Sequence, residues 1–180
     1  MLIDADNSCL VVIDVQEKLN PVMFDPARAP AGAAKLLEGA GILGVPALLT
    51  EQYPQGLGPS VDGLKSLMPL GCPMVKSSFS CFADPAFSTR FTAYGKQQAV
   101  LCGIEAHVCV LQTALDLIRH DHDVFVVEDA TASRTAENLR AGLERIRHAG
   151  GHVVTVEMVL FEWLRRSDVP GFRDVTRLIK

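Results

Sequence analysis

Six short apolar runs recur along the chain, and helical stretches lie between them. They are Cys9-Leu-Val-Val-Ile-Asp14, Val45-Pro-Ala-Leu-Leu-Thr50, Pro73 to Lys76, Gln97-Gln-Ala-Val-Leu-Cys102, Asp123-Val-Phe-Val-Val-Glu128 and His152-Val-Val-Thr-Val156. Each is nearly continuous rather than alternating, as in strands buried on both faces of a parallel sheet. Helical composition or spacing marks Ala31 to Leu43, a short stretch near Ser60 to Leu67, Ala106 to His120 and Thr135 to Ala149. Val108, Leu111, Leu115 and Ile118 form the expected core stripe of the third stretch; Leu139, Leu143 and Ile146 form that of the fourth, which Gly150-Gly151 ends. Strands alternating with helices imply an α/β chain: a three-layer α/β/α sandwich on a six-stranded, mostly parallel, Rossmann-like sheet. The 180 residues suit one domain, 1–180, with no linker and no internal repeat.

Composition removes several classes of function. A net charge of −4 and a pI of 5.7 exclude a basic nucleic-acid binder as the default. No apolar run is long enough to span a membrane, so no membrane partner is expected. The acidic N-terminus, Met1-Leu-Ile-Asp-Ala-Asp6, lacks the basic region of a secretory signal. Five cysteines without a Cys-x-x-Cys argue against a disulfide framework or a zinc ribbon and point to a reducing compartment, the cytoplasm. Gly39-Ala-Gly-Ile-Leu-Gly44 matches a dinucleotide-binding pattern, but its glycines follow a helix and precede a strand. Phosphate binding needs the opposite order, so these glycines read as helix termination and close packing.

In parallel sheets, chemistry gathers at the carboxyl ends of strands. Three reactive side chains sit at such ends. Asp14 follows the first run; alone it also fits a helix cap or a salt bridge, and Gln16 is placed to support it. Lys76 follows the third; alone it also fits a snorkelling surface lysine. Cys109 follows the fourth, beyond Gly103, which is read as breaking that strand. It is expected in the first helical turn, where backbone N–H groups lower a thiol's pKa; the bland alternative is a small buried apolar residue. Taken together, they supply a nucleophile, a base and an orienting cation for attack on a carbonyl.

Val12-Ile-Asp14-Val-Gln16, Lys76-Ser-Ser-Phe-Ser80, Gly103-Ile-Glu-Ala-His-Val-Cys109-Val and Asp129-Ala-Thr-Ala-Ser133-Arg134 resemble segments of the isochorismatase-like cysteine hydrolases, over nearly the whole chain. The resemblance implies a catalytic triad of Asp14, Lys76 and Cys109. It implies a cis peptide joining Ile104 and Glu105, and an oxyanion hole from the backbone amides of Glu105 and Cys109. It also implies hydrolysis of an amide, carbamoyl or related C–N bond of a small molecule, without a cofactor, in a homo-oligomer, a dimer or larger. The alternative is a non-catalytic member of the same fold that binds a small molecule or a protein. Nicotinamidases of this family place metal ligands after the second strand. Here Thr50 to Gly58 contains no histidine, and Glu51 alone makes no metal site. The Thr-Glu-Gln-Tyr-Pro-x-Gly-Leu-Gly loop resembles instead the isochorismatase-domain-containing branch.

The remaining candidates each carry two readings. Gln52 and Tyr53 suit substrate contact or loop packing. Phe24, Phe79 and Phe82 suit a pocket wall or, favoured, the core. His107 faces the pocket or sits exposed in the first turn. Cys81 is a possible second reactive thiol, while Cys9, Cys72 and Cys102 read as core. Met158 to Leu164 is apolar enough for an assembly surface, though core packing explains it equally.

Overall fold

Strand β1, Ser8–Ile13, is buried along its whole length, as an apolar run without alternation requires. The computed structural model describes residues 1–180. Beside β1 lie β2 (Ala47–Gln52) and β4 (Gln98–Ile104), and the sheet is completed by β3 (Met74–Lys76), β5 (Asp123–Ala132) and β6 (His152–Val154). The order is β3-β2-β1-β4-β5-β6, and every ladder is parallel. Successive connections run outward in opposite directions from β1 and β4, which leaves a crevice beyond the carboxyl ends of those two strands.

Side chains alternate across the sheet and build two cores. Leu10 and Val12 of β1 pack under α1 (Arg28–Leu43), α7 (Val156–Leu164) and α8 (Phe172–Leu178). Cys9, Val11 and Ile13 face α4 (Pro85–Ala93), α5 (Leu111–Arg119) and α6 (Ala136–His148). Two single-turn helices, α2 (Pro54–Leu57) and α3 (Asp62–Lys65), fill the segment between β2 and β3. No helix is long and apolar enough to cross a membrane.

Gly44, at φ 72°, caps α1 in the left-handed region, and a Cβ on Gly39 would lie 2.3 Å from Leu160. The glycine pattern is therefore helix packing and termination. The apolar stretch after β6 is mainly core: Val159, Leu160, Trp163 and Leu164 of α7 are buried, while Met158 and Phe161 reach solvent.

Three expectations change. Gly103 does not break β4 but lies within it, at φ 133°, where any Cβ would meet the Ile13 carbonyl oxygen at 2.1 Å. Its role is to let β4 approach β1. Helix α4 had no counterpart in the apolar pattern, although Asp84-Pro85 marks its start: the Asp84 carboxylate accepts from the N–H groups of Ala86 and Phe87. Finally, residues Ala106–Val110 form a π-turn ahead of α5. Leu111 of the expected stripe is buried, beside Val110, Ala114 and Leu117, while Val108, Leu115 and Ile118 pack half-buried against the same core.

Candidate active site

Asp14 is the first residue beyond β1 and adopts φ 54°, a left-handed conformation that few non-glycine residues take. Its carboxylate is buried and receives two short hydrogen bonds. Lys76 Nζ, at the end of β3, donates to Oδ2 at 2.7 Å; Thr50 Oγ1, within β2, donates to Oδ1 at 2.7 Å. Both side chains of the Asp14–Lys76 pair are 1% exposed. Lys76 Nζ also donates to Gln52 Oε1 at 2.8 Å and to the carbonyls of Ser78 and Phe79 at 3.2 and 3.3 Å. A buried ammonium held by this many acceptors is fixed in place. Burial works against its charge, but Cys81, Asp14 and Cys109 outweigh that, so Lys76 is held above the ordinary lysine range.

Cys109 lies in the π-turn after β4 and is 3% exposed. The structure reverses the expected direction of its pKa. Burial pushes the thiol well above the ordinary range, the charge of Asp14 adds to this, and Lys76 opposes it without prevailing. The start of a helix does not offset the loss of water. Cys109 therefore rests as a thiol beside the charge of the Asp14 carboxylate, and a nucleophilic role requires a base.

The peptide between Ile104 and Glu105 is not cis; the cis bond of this chain joins Cys72 and Pro73. Glu105 turns the backbone by a different device, a left-handed conformation at φ 61° and ψ 64°. Its carboxylate pairs with Arg134 at 2.5 Å. His107 Nδ1 lies 3.0 Å from Ser133 Oγ. Burial lowers the His107 pKa, Glu105 opposing and Arg134 adding to the effect.

The pocket candidates divide. Gln16 is fully buried and works as a latch: its Nε2 donates to the carbonyls of Gly58 and Gln52, and its Oε1 accepts the Gln52 N–H at 2.8 Å. These bonds run to the β2 end and the Gly58 turn, and none reaches Asp14. Gln52 braces Lys76 and also donates to the Ser77 carbonyl. Phe24, Tyr53 and Phe79 are 69%, 60% and 54% exposed, so the favoured core reading of the two phenylalanines is wrong. Phe82 is half-buried against Phe91 and His120. Glu51 is a second latch, accepting from the N–H and hydroxyl of Ser60 at 2.6 and 2.8 Å. No three His, Cys, Asp or Glu side chains converge as metal ligands.

Sequence reasoning missed Thr50 as a partner of Asp14, although it named that strand end. It also missed Thr113, whose hydroxyl donates to the Cys109 carbonyl at 2.7 Å and accepts the Cys81 N–H at 2.9 Å. A threonine on an apolar helix face carries no sequence signal for such a bridge.

The Isochorismatase domain family model matches residues 8–158. The chain belongs to the isochorismatase family. Isochorismatase domain-containing protein 2 of Danio rerio is 37% identical over 177 residues, covering 96% of this chain and 86% of that protein. The structure of MAR1 ribonuclease from Caenorhabditis elegans matches with a TM-score of 0.92 and 36% identity, over 99% of this chain and 92% of that one. The YcaC gene product of Escherichia coli, described as an octameric hydrolase of unknown specificity, has a TM-score of 0.92 and 24% identity, over 99% and 90% of the two chains. At that identity the likeness concerns the fold alone. The isochorismatase architecture thus frames a site where Asp14, Lys76, Thr50 and Cys109 meet at the carboxyl edge of β1 to β4.

Proposed function

We propose that this isochorismatase-family chain is a cysteine hydrolase of small amide, carbamoyl or related C–N bonds. One observation carries the reading: a single buried carboxylate, Asp14, holds Lys76 at 2.7 Å while facing the protonated thiol of Cys109. A thiol with a raised pKa is a poor nucleophile until a base takes its proton, and a carboxylate beside it is that base.

In this scheme Asp14 accepts the Sγ proton as Cys109 attacks the substrate carbonyl. The backbone amides of Glu105 and Cys109 hold the resulting oxyanion. Collapse breaks the C–N bond, Asp14 returns its proton to the leaving nitrogen, and a thioester remains on Cys109. Water then gives a proton to Asp14 and attacks the thioester, releasing the acid, and Cys109 regains its proton. Lys76 stays charged throughout, keeping Asp14 in register. Among the pocket candidates, Tyr53, Phe24, Phe79 and His107 are the side chains left to meet substrate, since Gln16 and Gln52 are committed to the scaffold. No cofactor enters the scheme. The free thiols suit a reducing compartment such as the cytoplasm. We also propose a homo-oligomer, as in the octameric Escherichia coli neighbour. Light scattering should give a mass at least twice the 19.5 kDa of one chain.

The test is a panel of small amides, carbamoyl amino acids and nicotinamide assayed for ammonia release. Turnover by the wild type, abolished in Cys109→Ala with an unchanged circular dichroism spectrum, is the expected outcome. A ligand that binds tightly and is recovered intact would instead identify the non-catalytic alternative. RNA belongs in the panel because the Caenorhabditis elegans neighbour is described as a ribonuclease. A net charge of −4 offers no basic footprint for a phosphate backbone, so no cleavage is expected.

A further inference from the structure

Thr50 is fully buried between Asp14 and Cys81. Its hydroxyl lies 2.7 Å from Asp14 Oδ1 and 3.7 Å from Cys81 Sγ. A hydroxyl owns one proton and a carboxylate can only accept, so that proton goes to Asp14. That leaves the Cys81 S–H as the proton available to the 3.7 Å contact between Cys81 Sγ and Thr50 Oγ1. Cys81 is suited to this, because burial first and the charge of Asp14 second push its thiol up to about 11, leaving it protonated at neutral pH. It is fully buried, which disfavours the reading of a second reactive thiol. Its backbone N–H is tied through Thr113 to the Cys109 carbonyl, so one hydroxyl joins the loop carrying Cys81 to the turn carrying Cys109.

We propose that Thr50 is a positioning residue for the Asp14 base, with Cys81 backing its hydroxyl in a chain running Cys81 to Thr50 to Asp14. The inference rests on the hydrolase reading above. A hydrogen bond donated to a carboxylate favours its charged form and fixes its rotation. Lys76 from β3, Cys81 from the following loop and Cys109 from the π-turn are the titratable groups that face Asp14. Thr50 is uncharged and leaves Lys76 in place, so its effect is separable from theirs.

The experiment follows iodoacetamide alkylation of Cys109 by mass spectrometry against pH, in the full-length protein and four variants. It needs no substrate. Thr50→Val preserves shape and removes the hydroxyl; its acidic limb should move to higher pH by about one unit, with about tenfold slower labelling below it. Thr50→Ser should restore the wild-type limb, which a merely structural role for the threonine methyl would not allow. Cys81→Ala should move the limb the same way by less. Asp14→Asn should remove the limb. Superimposable profiles for wild type and Thr50→Val, with the limb lost in Asp14→Asn, would overturn this inference and leave the hydrolase reading standing. A limb that survives Asp14→Asn would sink both. If Thr50→Val does not fold, Cys81→Ala decides: a profile identical to wild type overturns the directional chain.

Discussion

Two ion pairs of almost equal length sit at opposite extremes of this molecule. Lys76 and Asp14 meet at 2.7 Å beyond the carboxyl edge of the sheet, each 1% exposed. Arg166 and Asp168 meet at 2.6 Å just after α7, 71% and 65% exposed. Length therefore says little about what either pair does. The exposed pair exchanges one set of solvated partners for another. The buried pair has lost its water, so each member depends on the other, and Thr50, Gln52 and two carbonyls fill the valences that remain. A protein keeps such an arrangement at a cost, and here the same carboxylate faces the thiol of Cys109.

The sharpest way to break this contrast is Lys76→Met. It strands the Asp14 charge and should lower stability by about 3–5 kcal/mol in urea titrations. Asp14→Leu combined with Lys76→Met should cost less than Lys76→Met alone; a larger loss in the double variant would show that burial is not what distinguishes the pair. Buried thiols extend the comparison to alkaline pH. Cys9 is pushed up to about 12 and Cys81 to about 11 from an ordinary 9.0, burial being the first cause in each. Above pH 9 the unfolded thiols lose protons that the folded ones keep, so the unfolded state binds fewer protons and stability falls as pH rises. The slope should approach about 1.4 kcal/mol per pH unit for each such thiol. A flat urea midpoint between pH 8 and 10 would contradict it. Asp84, half-buried and bonded to backbone N–H groups, stands between the extremes; Asp84→Ala should cost about 1 kcal/mol through the start of α4. Arg166→Ala should leave the thermal midpoint where it was, and a clear fall would mean that the exposed pair matters more than its solvation allows.

Much of the fold was legible because burial on both faces leaves a simple mark. The run Cys9 to Asp14 becomes β1 at Ser8–Ile13, and the helical period from Thr135 to Ala149 becomes α6 at Ala136–His148. Where local pattern and close packing diverge, the reading slipped. Gly103 looked like a breaker, but it is the residue that permits β1 and β4 to touch. The stripe through Leu111 packs on the core, but Val108 and Leu115 lie at its margin, because a π-turn leaves no periodic trace. Phe24 and Phe79, apolar by type, ended on the surface beside the strand ends.

The sequence by itself determined the α/β/α class, the parallel sheet, the family, and which strand ends carry Asp14, Lys76 and Cys109, because each is written in residues adjacent along the chain. Only the tertiary structure decided that Asp14 is held by Thr50 as well as Lys76, that Gln16 and Glu51 latch loops, that the Ile104–Glu105 bond is not cis, and that Cys109 rests as a thiol rather than a thiolate. The physical reason is common to these. Hydrogen-bond partners and desolvation depend on which distant residues share a space, and in this chain Asp14 meets its partners across 36 and 62 positions of sequence.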